Sequence, residues 1–96
     1  MDQQSEFTLP HDNSGHIALY HWQDEVSDRP VLHWAHANGF NGRTYEPLLT
    51  PLAARFDIYA WDARGHGRTN VSAKPAKMTG WDIYGHDLIA LIEHLA

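Results

Sequence analysis

Pro30-Val31-Leu32-His33-Trp34-Ala35 runs into His36-Ala37-Asn38-Gly39-Phe40-Asn41-Gly42, and Phe56-Asp57-Ile58-Tyr59-Ala60-Trp61 runs into Asp62-Ala63-Arg64-Gly65-His66-Gly67-Arg68-Thr69. Each is a short apolar run ending in a glycine-bearing turn, the pattern of a strand followed by a loop. Between them Tyr45, Leu48, Leu49 and Leu52 recur at helical spacing, with Thr44 as the expected N-cap. Pro47 falls in the first helical turn. Pro51 either kinks the helix or restarts it with Thr50 as cap. A strand, helix and parallel strand connect by a right-handed crossover, so both loops leave the same sheet edge. Ligands bind at that carboxyl edge in open α/β sheets, because loops converge there and backbone N–H groups point outward.

Working outward from this unit, residues 1–6 are polar and are expected to fray. Residues 7–10 alternate as a short edge strand, 11–15 carry turn chemistry, and 16–22 form a second strand, giving an antiparallel hairpin. Residues 23–29 read as a charged loop. The strand at 31–35 is nearly continuous in apolar residues, which predicts a central strand covered on both faces. After a polar loop at 70–77 that carries Lys74 and Lys77, Thr79-Gly80-Trp81-Asp82 resembles a capping box with Asp in place of Glu. Trp81, Tyr84, Leu88, Leu91, Ile92 and Leu95 then share one face of a last helix. That helix meets no stop signal by Ala96, and the expectation is that the domain continues.

The chain has 96 residues, 43% of them hydrophobic and 20% charged, which is a globular composition. A formal net charge of −5 offers no basic surface for nucleic acid or anionic lipid. No apolar run approaches a membrane span, and the acidic start Met1-Asp2-Gln3-Gln4-Ser5-Glu6 is unlike a signal peptide. There is no cysteine, hence no disulfide or thiolate site, and the expected location is cytoplasmic. The eight histidines form no tight ligand pair: His33 and His36 point to opposite faces, as do His16 and His21, and His86 and His94 lie more than two turns apart. No metal site is expected. The oligomeric state stays open.

His36-Ala37-Asn38-Gly39-Phe40 with the helix after it, and Asp62-Ala63-Arg64-Gly65-His66-Gly67-Arg68-Thr69, resemble the N-terminal part of an α/β-hydrolase of the serine type. The resemblance runs from about Phe7 to the last residue. It implies an α/β fold: an N-terminal antiparallel hairpin, a parallel β-α-β unit and a further helix, all within one domain over residues 1–96 that stops before the nucleophile elbow. It also implies a cofactor-independent hydrolase acting on an ester, amide or related bond of a small-molecule substrate.

The residues themselves set the limits of that expectation. Ser5, Ser14, Ser27 and Ser72 lie in no Gly-x-Ser-x-Gly context, so the 96 residues carry no nucleophile, acid and base set and should be inactive alone. By resemblance the first loop supplies half an oxyanion hole through the Phe40 backbone N–H, with His36, Asn38, Gly39 and Phe40 against substrate. Ala37 and Asn38 separate His36 from Gly39, a departure from the family's His-Gly-Phe pattern. Asp62, Arg64, Gly65, His66 and Gly67 read as a structural loop. Taken as a dinucleotide signature, that loop lacks the third glycine and follows the wrong strand. Trp34, Trp61 and Trp81 read as core or pocket wall. Two other readings stay open: a ligand-binding member of the fold without turnover, and a complete small interaction domain.

Overall fold

The computed structural model describes residues 3–22, 28–37, 39–71, 73 and 81–95. The elements in chain order are β1 (Gln3–Leu9), β2 (Asp12–Trp22), β3 (Val31–Trp34), a 3₁₀ turn (Gly42–Tyr45), α1 (Glu46–Leu52), β4 (Asp57–Trp61) and α2 (Asp82–Leu95). One sheet holds all four strands in the order β1-β2-β4-β3. β1 and β2 are antiparallel, as are β2 and β4, whereas β3 runs parallel to β4 with His33 opposite Tyr59. The expected hairpin, parallel β-α-β unit and last helix are all present.

The sheet separates two apolar layers. On one face Phe7, Leu9, Ile17, Leu19 and Trp61 pack under α2 with Ala90 and Leu91. On the other face Ala18, Tyr20, Trp22, Ile58 and Ala60 pack under α1 with Leu49. The alternation follows the two-residue period of a strand: Tyr59 and Trp61 face α2, while Ile58 and Ala60 face α1.

Several boundaries differ from the sequence expectation. Residues 3–6 are not frayed; they pair with His21, Tyr20, Leu19 and Ala18, because backbone pairing along β2 does not require apolar side chains. The hairpin turn is only Pro10 and His11, so residues 12–15 belong to β2, with an irregular register between Phe7 and Leu9. Gly15 is required there: a Cβ would stand 2.3 Å from Asn70 Oδ1. β3 is an edge strand among the described residues rather than a central one, and Val31 is 62% exposed.

The N-cap of the helical segment is Asn41, not Thr44: Asn41 Oδ1 accepts the Thr44 N–H at 3.1 Å and opens the 3₁₀ turn. α1 runs through Pro51 and ends one residue later, so the missing N–H falls in the last turn. On α2 the buried stripe is Asp87, Ala90 and Leu91, flanked by Tyr84, Leu88 and Leu95, while Trp81 is 76% and Ile92 57% exposed. The proposed capping residues Thr79 and Gly80, together with Lys74 and Lys77, lie outside the described residues.

Candidate functional site

The loops at 36–42 and 62–69 rise from the carboxyl ends of β3 and β4, which are parallel neighbours. Both therefore stand on one rim of the sheet. They are built by different means.

The second loop is organised by two buried charged side chains. The Asp62 carboxylate is closed to solvent and accepts the Tyr20 hydroxyl at 2.6 Å, the Gly42 N–H at 2.7 Å and the Arg68 N–H at 2.8 Å. Burial, and then the bond to Asp62, push the Tyr20 hydroxyl far above the usual tyrosine range. Gly67 has φ +51, and a Cβ there would sit 2.3 Å from Asp62 Oδ2, so only glycine lets the chain close around the carboxylate.

The buried Arg64 turns inward and donates from Nε and Nη2 to the two Asp87 oxygens, each at 3.0 Å, and from Nη1 to Asp12 at 2.6 Å. His11 Nε2 meets Asp87 at 2.8 Å. The bonds to Asp87, then Asp12, raise Arg64, and the bonds from Ser14 and Arg64 hold Asp12 well below the usual carboxylate range. One guanidinium thus ties the loop to both α2 and β2. Thr69 Oγ1 donates to the Asp62 carbonyl and accepts the Ala18 N–H at 2.8 Å, fastening the loop's end to β2.

The first loop has no such interior. Its turn at 37–40 is closed by the Phe40 N–H, which donates to Ala37 O at 3.0 Å, and Gly39 supplies φ +87. The Phe40 N–H, the expected oxyanion donor, thus points back across the turn, where the positive φ of Gly39 folds the chain onto itself. Phe40 is 52% exposed. The Ala37 N–H donates to the Tyr45 hydroxyl at 3.1 Å. Asn38 lies outside the described residues.

Two histidines lace the loops together reciprocally. His36, on the first loop, accepts the Ala63 N–H on Nε2 at 2.9 Å and donates from Nδ1 to Ala37 O at 2.9 Å. His66, on the second, accepts the Gly39 N–H on Nε2 at 3.1 Å and donates from Nδ1 to Arg64 O at 2.9 Å. Since an amide N–H donates and a carbonyl oxygen accepts, each ring carries its donor hydrogen on Nδ1 and accepts on Nε2. Their centroids are 4.8 Å apart. With Nε2 occupied by an amide, neither imidazole is placed to take a substrate proton; the arrangement offers oriented backbone dipoles rather than acid–base chemistry.

A cavity of about 340 Å³ adjoins the lacing, walled by Ala35, His36, Trp61, Ala63 and His66 on the sheet side and by Trp81, Tyr84, Gly85 and Leu88 from α2 and the turn before it. Trp61 and Trp81 are thus pocket walls, as expected. Trp34 is on the opposite face, beside Tyr45.

Over 74 residues, 75% of its length, the chain is 36% identical to the 2-(acetamidomethylene)succinate hydrolase of Mesorhizobium japonicum. Among solved structures, a hydrolase from Pseudomonas aeruginosa superposes with a TM-score of 0.80 at 22% identity over 98% of the chain. An epoxide hydrolase of the α/β-hydrolase superfamily, from hot-environment metagenomes, superposes with a TM-score of 0.78 at 24% identity over 97%. The chain has the fold of the N-terminal part of an α/β-hydrolase. It spans 25% of the Mesorhizobium relative and 33% and 30% of the two solved chains. No family model matches it.

Within this α/β-hydrolase segment the sequence reading located both loops and missed their supports. Tyr20, Asp12, His11 and Asp87 hold the second loop, and none was singled out. Asp87 did carry a signal: it is an acid at helical spacing between Tyr84 and Leu91, on a face otherwise apolar, where a charge needs a partner. The local strings around Tyr20 and Asp12 carry none, because their partners are at least 42 residues away in the chain.

Proposed function

We propose that these residues form the oxyanion-loop corner of a cofactor-independent hydrolase acting on a small-molecule ester, amide or related bond, with nucleophile, acid and base supplied from outside the 96 residues. The observation that carries the reading is the reciprocal lacing of the two carboxyl-edge loops by His36 and His66, which fixes backbone amides where the fold places its ligands. The two laced amides are taken up by the rings, so the lacing acts by holding the loop. An N–H donor held in place beside them would stabilise a developing alkoxide, and removing such a donor costs on the order of 10² to 10³ in rate. The Phe40 N–H serves an oxyanion only by sharing its hydrogen with Ala37 O or by giving up the turn bond. His36, Asn38 and Gly39 complete the loop's proposed substrate-facing set. The name of the Mesorhizobium relative points to the hydrolysis of an acetamido compound as the first chemistry to try.

Two assays test this. The 96-residue chain alone is expected to show no turnover of p-nitrophenyl esters, and burst kinetics would contradict that. A chimera in which it replaces the corresponding quarter of the Mesorhizobium enzyme is expected to hydrolyse 2-(acetamidomethylene)succinate. A folded chimera with no measurable rate sinks the reading.

A further inference from the structure

We propose that His66 is a positioning residue for the first loop: by accepting the Gly39 N–H, it fixes the direction of that amide. The functional meaning of this rests on the oxyanion-loop reading, whereas its structural content rests on geometry alone.

The turn is closed by the Phe40 N–H on Ala37 O, and Gly39 within it has φ +87. Glycine permits that conformation without demanding it, since glycine adopts either sign of φ about equally readily. The group that engages the Gly39 amide is the His66 ring, whose Nε2 receives the N–H at 3.1 Å.

The ring is held ready for this. Its Nδ1 donates to Arg64 O at 2.9 Å, which leaves Nε2 as the acceptor, and the Arg64 side chain is clamped by Asp87 and Asp12. A rigid path therefore runs from α2 through Arg64 and His66 to the Gly39 peptide. Without that acceptor the Gly39 N–H is no longer held to the second loop, and the first loop loses a fixed direction for one of its amides at the carboxyl edge.

The test is NMR on the ¹⁵N-labelled 96-residue chain at neutral pH. The His66 ring nitrogens should show the proton on Nδ1, with a scalar coupling across the hydrogen bond from the Gly39 amide nitrogen to Nε2. In His66→Phe, which keeps an aromatic ring beside His36, the coupling is lost and Gly39 amide exchange should rise about 10-fold. His66→Gln, whose amide oxygen can accept where Nε2 did, should restore the protection. A proton on Nε2, or equal Gly39 exchange in wild type and His66→Phe, overturns the proposal. If His66→Phe does not fold, tautomer and coupling in the unsubstituted chain decide. Because none of these readouts needs turnover, an inert chimera with the coupling intact would sink the oxyanion reading and leave the positioning role standing.

Discussion

The two loops leave neighbouring strands at the same rim, yet one is held from inside and the other from outside. The second has Asp62 and Arg64 closed to solvent, both hydrogen-bonded to partners on other elements or on the loop itself. The first has exposed residues at Gly39 and Phe40, and its amides are taken up by a tyrosine hydroxyl, its own carbonyl and a histidine that belongs to the second loop. A buried charge network makes a fixed post; a glycine turn hung on that post takes its shape from it. The difference implies that damage to the second loop propagates to the first, while damage to the first stays local.

The largest effect should come from Arg64→Ala. Among the described residues, removing the guanidinium leaves the fully buried Asp87 carboxylate with His11 and Asp12 with Ser14 of its own turn. Breaking a buried ion pair by deleting one partner costs about 3 to 5 kcal/mol. Urea unfolding of the variant should show a loss of that size, and Gly39 amide exchange should rise with it, since His66 depends on the Arg64 carbonyl. A loss below about 1 kcal/mol, within the range of an exposed pair, would break the comparison at its root.

A smaller pair of effects sharpens it. Gly67 and Gly39 both have positive φ, so alanine at either carries a backbone penalty of about 1 to 2 kcal/mol. They differ in surroundings: a Cβ at Gly67 collides with the Asp62 carboxylate, whereas one at Gly39 meets nothing within 4 Å among the described residues. Gly67→Ala should therefore lower the melting temperature clearly more than Gly39→Ala. Equal shifts would mean that the Asp62 network yields as easily as the exposed turn, and that the post is not rigid.

How far the sequence spoke follows the same division. The parallel unit was legible because its signals are local: apolar runs at strand spacing, glycines where φ must be positive, and a helical stripe between. The register of β1 was not, since polar residues 3–6 pair through backbone groups that side-chain patterns do not report. At the site, Gly39, Gly65 and Gly67 were legible as turn residues, and all three have positive φ. What stayed hidden was the direction of hydrogen bonds. The Phe40 N–H returns to Ala37, and the Gly39 N–H beside it meets a ring 27 residues away in the chain.

The smallest effect concerns pH. On the α2 face of β3, His33 donates from Nδ1 to Tyr59 O at 3.2 Å and meets Trp61 edge-on at 5.3 Å, while its Nε2 is enclosed with no partner among the described residues. Burial pushes this ring below the ordinary histidine value, because a second proton would have nothing to donate to. The folded state therefore favours neutral His33. As pH falls through the ordinary histidine range, near 6.5, the unfolded chain takes up a proton that the folded chain resists, so stability declines on acidification and recovers as pH rises. Arg64, with its affinity for protons raised, and Asp12, with its own lowered, both keep their charge across that window. Acid should thus loosen the β3 side before the Arg64 side. Unfolding at about pH 7 and about pH 5 should show wild type losing more stability than His33→Phe, with protection factors, which remove the slower intrinsic exchange in acid, falling for amides of the β3–β4 ladder and holding for those around Arg64. Equal losses in the two proteins would assign the acid sensitivity elsewhere. Protection lost around Arg64 first would reverse which loop is the support and which is supported.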